Sequence, residues 1–120
     1  MERETAYFIN NLTKKVILLY GRNLKRIIKK LGGKLIIENY DYLTEGSIKK
    51  VNDSFIIRVP KNDDWIIAIQ IGHLLLHMGF KTNPEIWNKQ KNEYRLFKTS
   101  EQTAQAVCFA RCILGEDYGI

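Results

Sequence analysis

The chain has 120 residues, of which 45% are hydrophobic and 27% charged, so we expect one folded domain over residues 1–120 and exclude disordered and fibrous classes. It has two cysteines and no apolar run of the ~20 residues that a membrane helix needs, which argues against a disulfide-rich secreted protein or a membrane protein. No signal peptide is recognisable, and we therefore predict a cytoplasmic location. The net charge of +6 lies within residues 1–50, where 11 Lys and Arg accompany 5 Asp and Glu, a bias compatible with an acidic partner or nucleic acid.

The first half of the chain predicts two helices followed by three short strands. Apolar residues at helical spacing (Ile9, Leu12, Val16 and Leu19) indicate an amphipathic helix over about 5–20, which Gly21 interrupts. Residues 23–31 continue as a second helix, and Gly32-Gly33 ends it. The strands are predicted at 34–40, 47–51 and 54–59, and the last two form a hairpin around Asn52-Asp53.

The second half predicts helices. Residues 65–78 are apolar on nearly every side, which indicates a central helix buried all round. A linker helix is expected to start at Asn83-Pro84, with Trp87, Tyr94 and Phe97 on one side, and a final helix to run from Thr99 to Leu114. Because the strands are grouped rather than alternating with helices, we predict an α+β fold with a small three-stranded sheet packed with the N-terminal, central and C-terminal helices.

Residues 64–77, DWIIAIQIGHLLLH, resemble the active-site helix of the ImmA/IrrE family of zinc metallopeptidases, in which a pattern close to aHELGHxxLH follows a small sheet. Residues 105–114 are similar to that family's C-terminal helix. The resemblance covers about residues 20–115 and implies a zincin-like fold. The matched positions are Gly72, His73, Leu76, His77, Ala106, Phe109 and Ala110.

The catalytic positions implied by this resemblance carry other residues. The first histidine of the HExxH pattern falls on Ile69, its glutamate on Gln70, and its second histidine on His73. The family's third ligand, a glutamate, falls on Thr103. Isoleucine has no lone pair and an amide cannot act as a base, so we predict a remnant pocket without hydrolytic activity, bound metal or cofactor.

The histidines and cysteines allow two other interpretations. His73 with His77 and Cys108 with Cys112 are both i, i+4 pairs, and together they would complete a tetrahedral zinc set. Helix geometry argues against it, because the two cysteines lie about 140° and 180° around their helix from Thr103. The alternative is that the histidines and the cysteines are ordinary structural residues.

Basic residues also recur at helical spacing in the second predicted helix. They lie opposite its apolar residues, and they form either its solvated side or a partner-binding surface for an acidic protein or a phosphate backbone. These are Arg22, Lys25, Arg26, Lys29 and Lys30.

The resulting expectation is a catalytically inactive metallopeptidase-like domain that acts as a protein-binding regulatory module. The family's context implies an origin in a phage or mobile element, with a repressor or other regulator as the partner. The alternatives are a zinc-dependent peptidase with unorthodox ligands, and a phage-defence or nucleic-acid effector that uses the basic helix.

Overall fold

The structure, a computed structural model, describes residues 1–39, 45–97 and 99–115. Within these ranges there are five helices and four strands. The helices are α1 (Arg3–Tyr20), α2 (Leu24–Lys30), α3 (Asp64–Leu76), α4 (Pro84–Asn88) and α5 (Ser100–Leu114). The strands are β1 (Lys34–Ile37), β2 (Ser47–Val51), β3 (Ser54–Val59) and β4 (Tyr94–Arg95). The predicted α+β class is confirmed.

Short polar side chains begin the helices where the sequence predicts them. Asn23 accepts a hydrogen bond from the amide of Arg26, and Asp63 accepts from the amide of Trp65. The Thr99 hydroxyl does the same for Gln102 at the start of α5. Each side chain satisfies one of the amides that a helix N-terminus leaves without an intrahelical partner. The helix boundaries are therefore largely local properties of the chain.

The four strands form one mixed sheet in the order β1-β3-β2-β4. β1 runs parallel to β3, while β2 is antiparallel to both β3 and β4. The predicted hairpin of β2 and β3 is confirmed, with Asn52 adopting a positive φ of 55° in its turn. β1 is shorter than the predicted strand 34–40, whose last residue, Tyr40, lies outside the described residues.

The prediction of three strands is wrong, and so is the prediction of one linker helix carrying Trp87, Tyr94 and Phe97. α4 ends at Asn88, and the chain then pairs Tyr94 with Lys49 of β2 as a fourth strand. The residues between are mostly Lys, Asn and Gln and have no apolar periodicity to extend the helix. Pairing with β2 supplies backbone hydrogen bonds that local sequence does not reveal.

α3 is the centre of the core, as predicted. Ile67, Ala68, Ile71 and Leu74 are fully buried, so the helix is covered on several sides at once. α5 packs closely against it at Gly72, where a Cβ would lie 3.2 Å from Cβ of Phe109. The absence of a side chain at this position therefore sets how near the two helices approach.

α1 departs from expectation at its C-terminal end. Ile9 and Val16 are buried and Leu12 is half-buried, but Leu19 is 59% exposed. The fourth member of the predicted apolar stripe thus lies outside the core.

Candidate functional site

The two histidines of α3 are hydrogen-bonded to each other one helical turn apart. The Nδ1 atoms of His73 and His77 are 2.8 Å apart, and Nε2 of His77 lies 2.7 Å from Oε1 of Gln105 on α5. A carbonyl oxygen only accepts, so Nε2–H of His77 donates to Gln105. Nδ1 of His77 then carries the lone pair that accepts from Nδ1–H of His73. In this arrangement the His77 ring is neutral, and the two facing Nδ1 atoms share a single proton.

An aromatic side chain covers the pair. The ring of Phe97 stacks on the imidazole of His73, with centroids 4.2 Å apart and planes inclined by 6°. The guanidinium of Arg95 lies 4.7 Å from the centroid of the same Phe97 ring. His73 is consequently buried, and a cation stands near it.

These surroundings disfavour protonation of both rings. Burial, the neighbouring His77 and the Arg95 cation together lower the pKa of His73 from 6.5 to about 3. Burial also lowers the pKa of His77, and Arg95 acts in the same direction. The hydrogen bond to Gln105 and the charge of Glu101 oppose that shift. The pair is therefore uncharged at neutral pH.

The other residues of the predicted pocket lie around this pair in different environments. Ile69 is half-buried and packs against the core, while Gln70 is only 3% exposed. Thr103 is exposed on α5, and its hydroxyl donates to the carbonyl of Thr99 over 3.0 Å. α5 reaches the histidines through Gln105 instead. Gln105 is not among the predicted site residues, although it directly precedes Ala106, which is buried in the packed face of α5.

Gln70 lies beneath the start of β2. A Cβ on Gly46 would come within 2.5 Å of the carbonyl oxygen of Arg58 and 3.0 Å of Cγ of Gln70, so only glycine fits between them. Oε1 of Gln70 has no hydrogen-bond partner within the described residues. Leaving such an acceptor buried and unpaired costs about 1–3 kcal/mol.

A small pocket of about 220 Å³ opens at the same end of the sheet. Ser47 next to Gly46, Arg58 and Tyr94 are part of its lining. The Arg58 guanidinium lies 3.8 Å above the centroid of the Tyr94 ring, and its Nε is 3.3 Å from Oε1 of Glu38. The arginine is thus already held by a carboxylate and a ring.

The donors present do not fit the zinc that the family resemblance implies. Ile69 offers no donor atom, and Nδ1 of His73 is engaged by His77. Sγ of Cys112 lies 3.9 Å from Oδ1 of Asn10 on α1. In the part of the chain that the structure describes, no three His, Cys, Asp or Glu side chains are grouped so that they could hold a metal ion.

The predicted basic surface divides into two parts. Lys25, Arg26, Lys29 and Lys30 are exposed on α2. Arg22 precedes the helix and has a structural contact, because its Nη1 donates to the carbonyl of Ile113 over 2.9 Å and to that of Cys112 over 3.3 Å. A guanidinium at these carbonyls satisfies acceptors that the C-terminus of α5 leaves open.

Comparisons with protein-family models, with curated proteins and with solved structures find no match to the chain. The ImmA/IrrE resemblance therefore stays a prediction that rests on the residues quoted for it. Among the described residues, no helix combines the length and the apolar character needed to cross a membrane.

Proposed function

We propose that this chain is a catalytically inactive, metallopeptidase-like domain that acts as a protein-binding regulatory module. The observation that carries the proposal is the hydrogen-bonded group His73–His77–Gln105 beneath Phe97. Three of its four ring nitrogens are engaged in hydrogen bonds, and the bond from Nε2 of His77 joins the end of α3 to α5. A peptidase centre requires the opposite arrangement, with imidazole lone pairs aimed at one open metal position.

The two flanking positions support the same conclusion. Hydrolysis at a zinc-bound water needs a general base within hydrogen-bond reach. Gln70 stands where the base would be, and its amide cannot take up a proton at working pH. The side chain is also buried below Gly46 and away from solvent. Ile69 adds an aliphatic surface where the first ligand would be.

The sheet offers an edge for a partner. Within the described residues, β1 pairs only with β3, so its other side presents backbone groups without a strand partner. Ile36 at this edge is 40% exposed. An extended segment of another protein can add to such an edge by main-chain hydrogen bonds. We propose a repressor or other regulator in the cytoplasm as the partner, and an origin of this chain in a phage or mobile element.

Metal content tests the catalytic half of the proposal. Protein purified without chelator is expected to contain well under one zinc per chain, and to leave casein and unfolded polypeptides intact. A stoichiometric zinc that disappears in the His73→Ala variant would instead establish the peptidase alternative, since an imidazole ligand would then be essential.

Partner binding tests the other half. A protein captured from the host by the wild-type chain, and identified by mass spectrometry, should no longer be captured by Ile36→Lys, because a charge at the strand edge opposes strand addition. Ile86→Lys is the matched control, since Ile86 is 38% exposed but belongs to α4 and not to the β1 edge. Equal losses for both variants would contradict binding at β1.

The exposed cations of α2 favour a second candidate function, binding of nucleic acid. Lys25, Arg26 and Lys29 would contact phosphates, and affinity would then fall steeply with salt because counterions are released. Reversing these three charges should abolish retention of DNA or RNA on a filter. Weak binding that is unchanged by the reversal would eliminate this candidate.

A further inference from the structure

α1 carries a second stripe of side chains beside the one that it buries. Phe8, Leu12, Lys15 and Leu19 follow each other at intervals of four, three and four residues and fall within roughly 60° of the helix circumference. Phe8 is 57% exposed and Leu19 is 59% exposed, so two large apolar groups stand in solvent on this side. Exposed apolar residues that cluster in this way mark interaction surfaces more often than isolated ones do.

This stripe forms one wall of a groove. The groove has a volume of about 370 Å³, and buried residues that include Leu31 at the end of α2 and Leu75 of α3 line it as well. Lys81 and Thr82, which follow α3, also line it. Its surface is thus apolar, with two lysines, Lys15 and Lys81, as the charged groups among the residues that line it.

We infer that this groove binds an acidic amphipathic helix of a protein partner. The inference rests on the proposed protein-binding function and specifies the partner's chemistry. Alternating steps of four and three residues are the spacing of a helix that packs along another helix. A partner helix with apolar residues at the same spacing therefore packs its side chains between Phe8, Leu12 and Leu19.

Charge decides the nature of the partner's polar positions. Lys15 interrupts the apolar stripe at its middle, and Lys81 stands on another part of the lining. Carboxylates on the bound helix are attracted to these cations as water leaves the groove, whereas a lysine or arginine there is repelled. A polar residue within such a stripe also selects the register of the partner.

The same charges disfavour a second copy of this chain. Two chains joined through the groove would bring two Lys15 and two Lys81 side chains into one interface, and each chain has a net charge of +6. Like charges placed together on desolvation oppose association. The occupant that fits is a different protein with a negative helix.

The test is a selection from a display library of 16-residue helical peptides with apolar residues at four–three spacing and random polar positions. Peptides that bind the full chain are expected to be net negative, with Glu or Asp at the position facing Lys15. The Phe8→Ser/Leu19→Ser double variant should weaken their affinity at least ~30-fold, because it removes the two large exposed apolar side chains of the groove wall. The Lys15→Glu/Lys81→Glu double variant should bind the same peptides at least ~10-fold more weakly. A selection against this variant should instead yield net positive peptides.

Leu18→Ser is the matched control. Leu18 also lies on α1 and is 85% exposed, but it does not line the groove, so its replacement should leave the affinity within twofold. All the substituted side chains are exposed or half-buried, and unchanged circular dichroism and melting temperature show that each variant is folded. If Leu18→Ser reduced peptide affinity as much as the groove variants do, the groove would not be the binding site.

Three further results would overturn the inference. These are a failure to select any peptide, selection of neutral or basic peptides, and dimerisation of the wild-type chain that Phe8→Ser/Leu19→Ser abolishes. A natural partner that binds wild type and this double variant equally would refute the groove but leave the protein-binding function intact. Stoichiometric zinc with peptidase activity would refute that function without involving the groove.

Discussion

Mild acid should destabilise this protein through its buried histidine pair. In the folded chain His73 stays neutral down to a pKa of about 3, whereas in the unfolded chain it takes up a proton near pH 6.5. Below pH 6.5 the unfolded state therefore binds a proton that the folded state does not. The stabilising contribution of the neutral His73 ring is fully present above pH 6.5 and decreases progressively as the pH falls toward the pKa of the folded state.

The magnitude follows from the width of this window. One pKa unit corresponds to 1.36 kcal/mol, so lowering the pH from 7 to 5 should reduce the free energy of unfolding by about 2 kcal/mol through His73. The lowered pKa of His77 acts in the same direction. Histidine is the side chain whose ordinary pKa lies within this pH interval.

Urea unfolding at several pH values, followed by tryptophan fluorescence, measures this loss. The chain has two histidines, and the His73→Leu/His77→Leu double variant removes all histidine titration. Its stability should be nearly independent of pH between 5 and 7. If wild type is equally independent, or if nuclear magnetic resonance shows the His73 ring titrating near pH 6.5 in the folded chain, the closed hydrogen-bonded pair is refuted.

Three other substitutions test the packing around the site, each by urea unfolding at pH 7. Gln70→Met should raise the free energy of unfolding by about 1 kcal/mol, because it replaces a buried acceptor that has no partner within the described residues; a loss of more than 1 kcal/mol would mean that the amide is satisfied. Gly46→Ala should lower it by about 1–3 kcal/mol, since the new Cβ meets the carbonyl oxygen of Arg58 and the Gln70 side chain; an unchanged value would refute that close approach. Arg22→Ala should lower it by about 1 kcal/mol through loss of the hydrogen bonds to the end of α5, whereas Lys25→Ala should change it by less than about 0.5 kcal/mol. Equal effects of the last two would show that Arg22 has no structural role.

Several features of the fold were predictable because they depend on residues close in sequence. Asn23, Asp63 and Thr99 begin helices by bonding amides two or three residues ahead, and the apolar stretch of α3 requires burial wherever it is placed. The hairpin of β2 and β3 depends on its own turn. The departures at Ile69 and Gln70 from the resembled catalytic pattern were likewise evident from residue types alone.

Contacts between distant segments decided the rest. β4 forms because Tyr94 pairs with Lys49 of β2. The hydrogen bond between His77 and Gln105 depends on how α5 packs against α3. The exposure of Leu19 has the same origin. Helical spacing places Leu19 on the apolar side of α1, but only the positions of the other elements determine whether anything covers it. Local sequence sets which conformation a segment prefers, because the interacting groups are near in the chain. Which surfaces meet, and which are left open, is decided by packing over the whole chain.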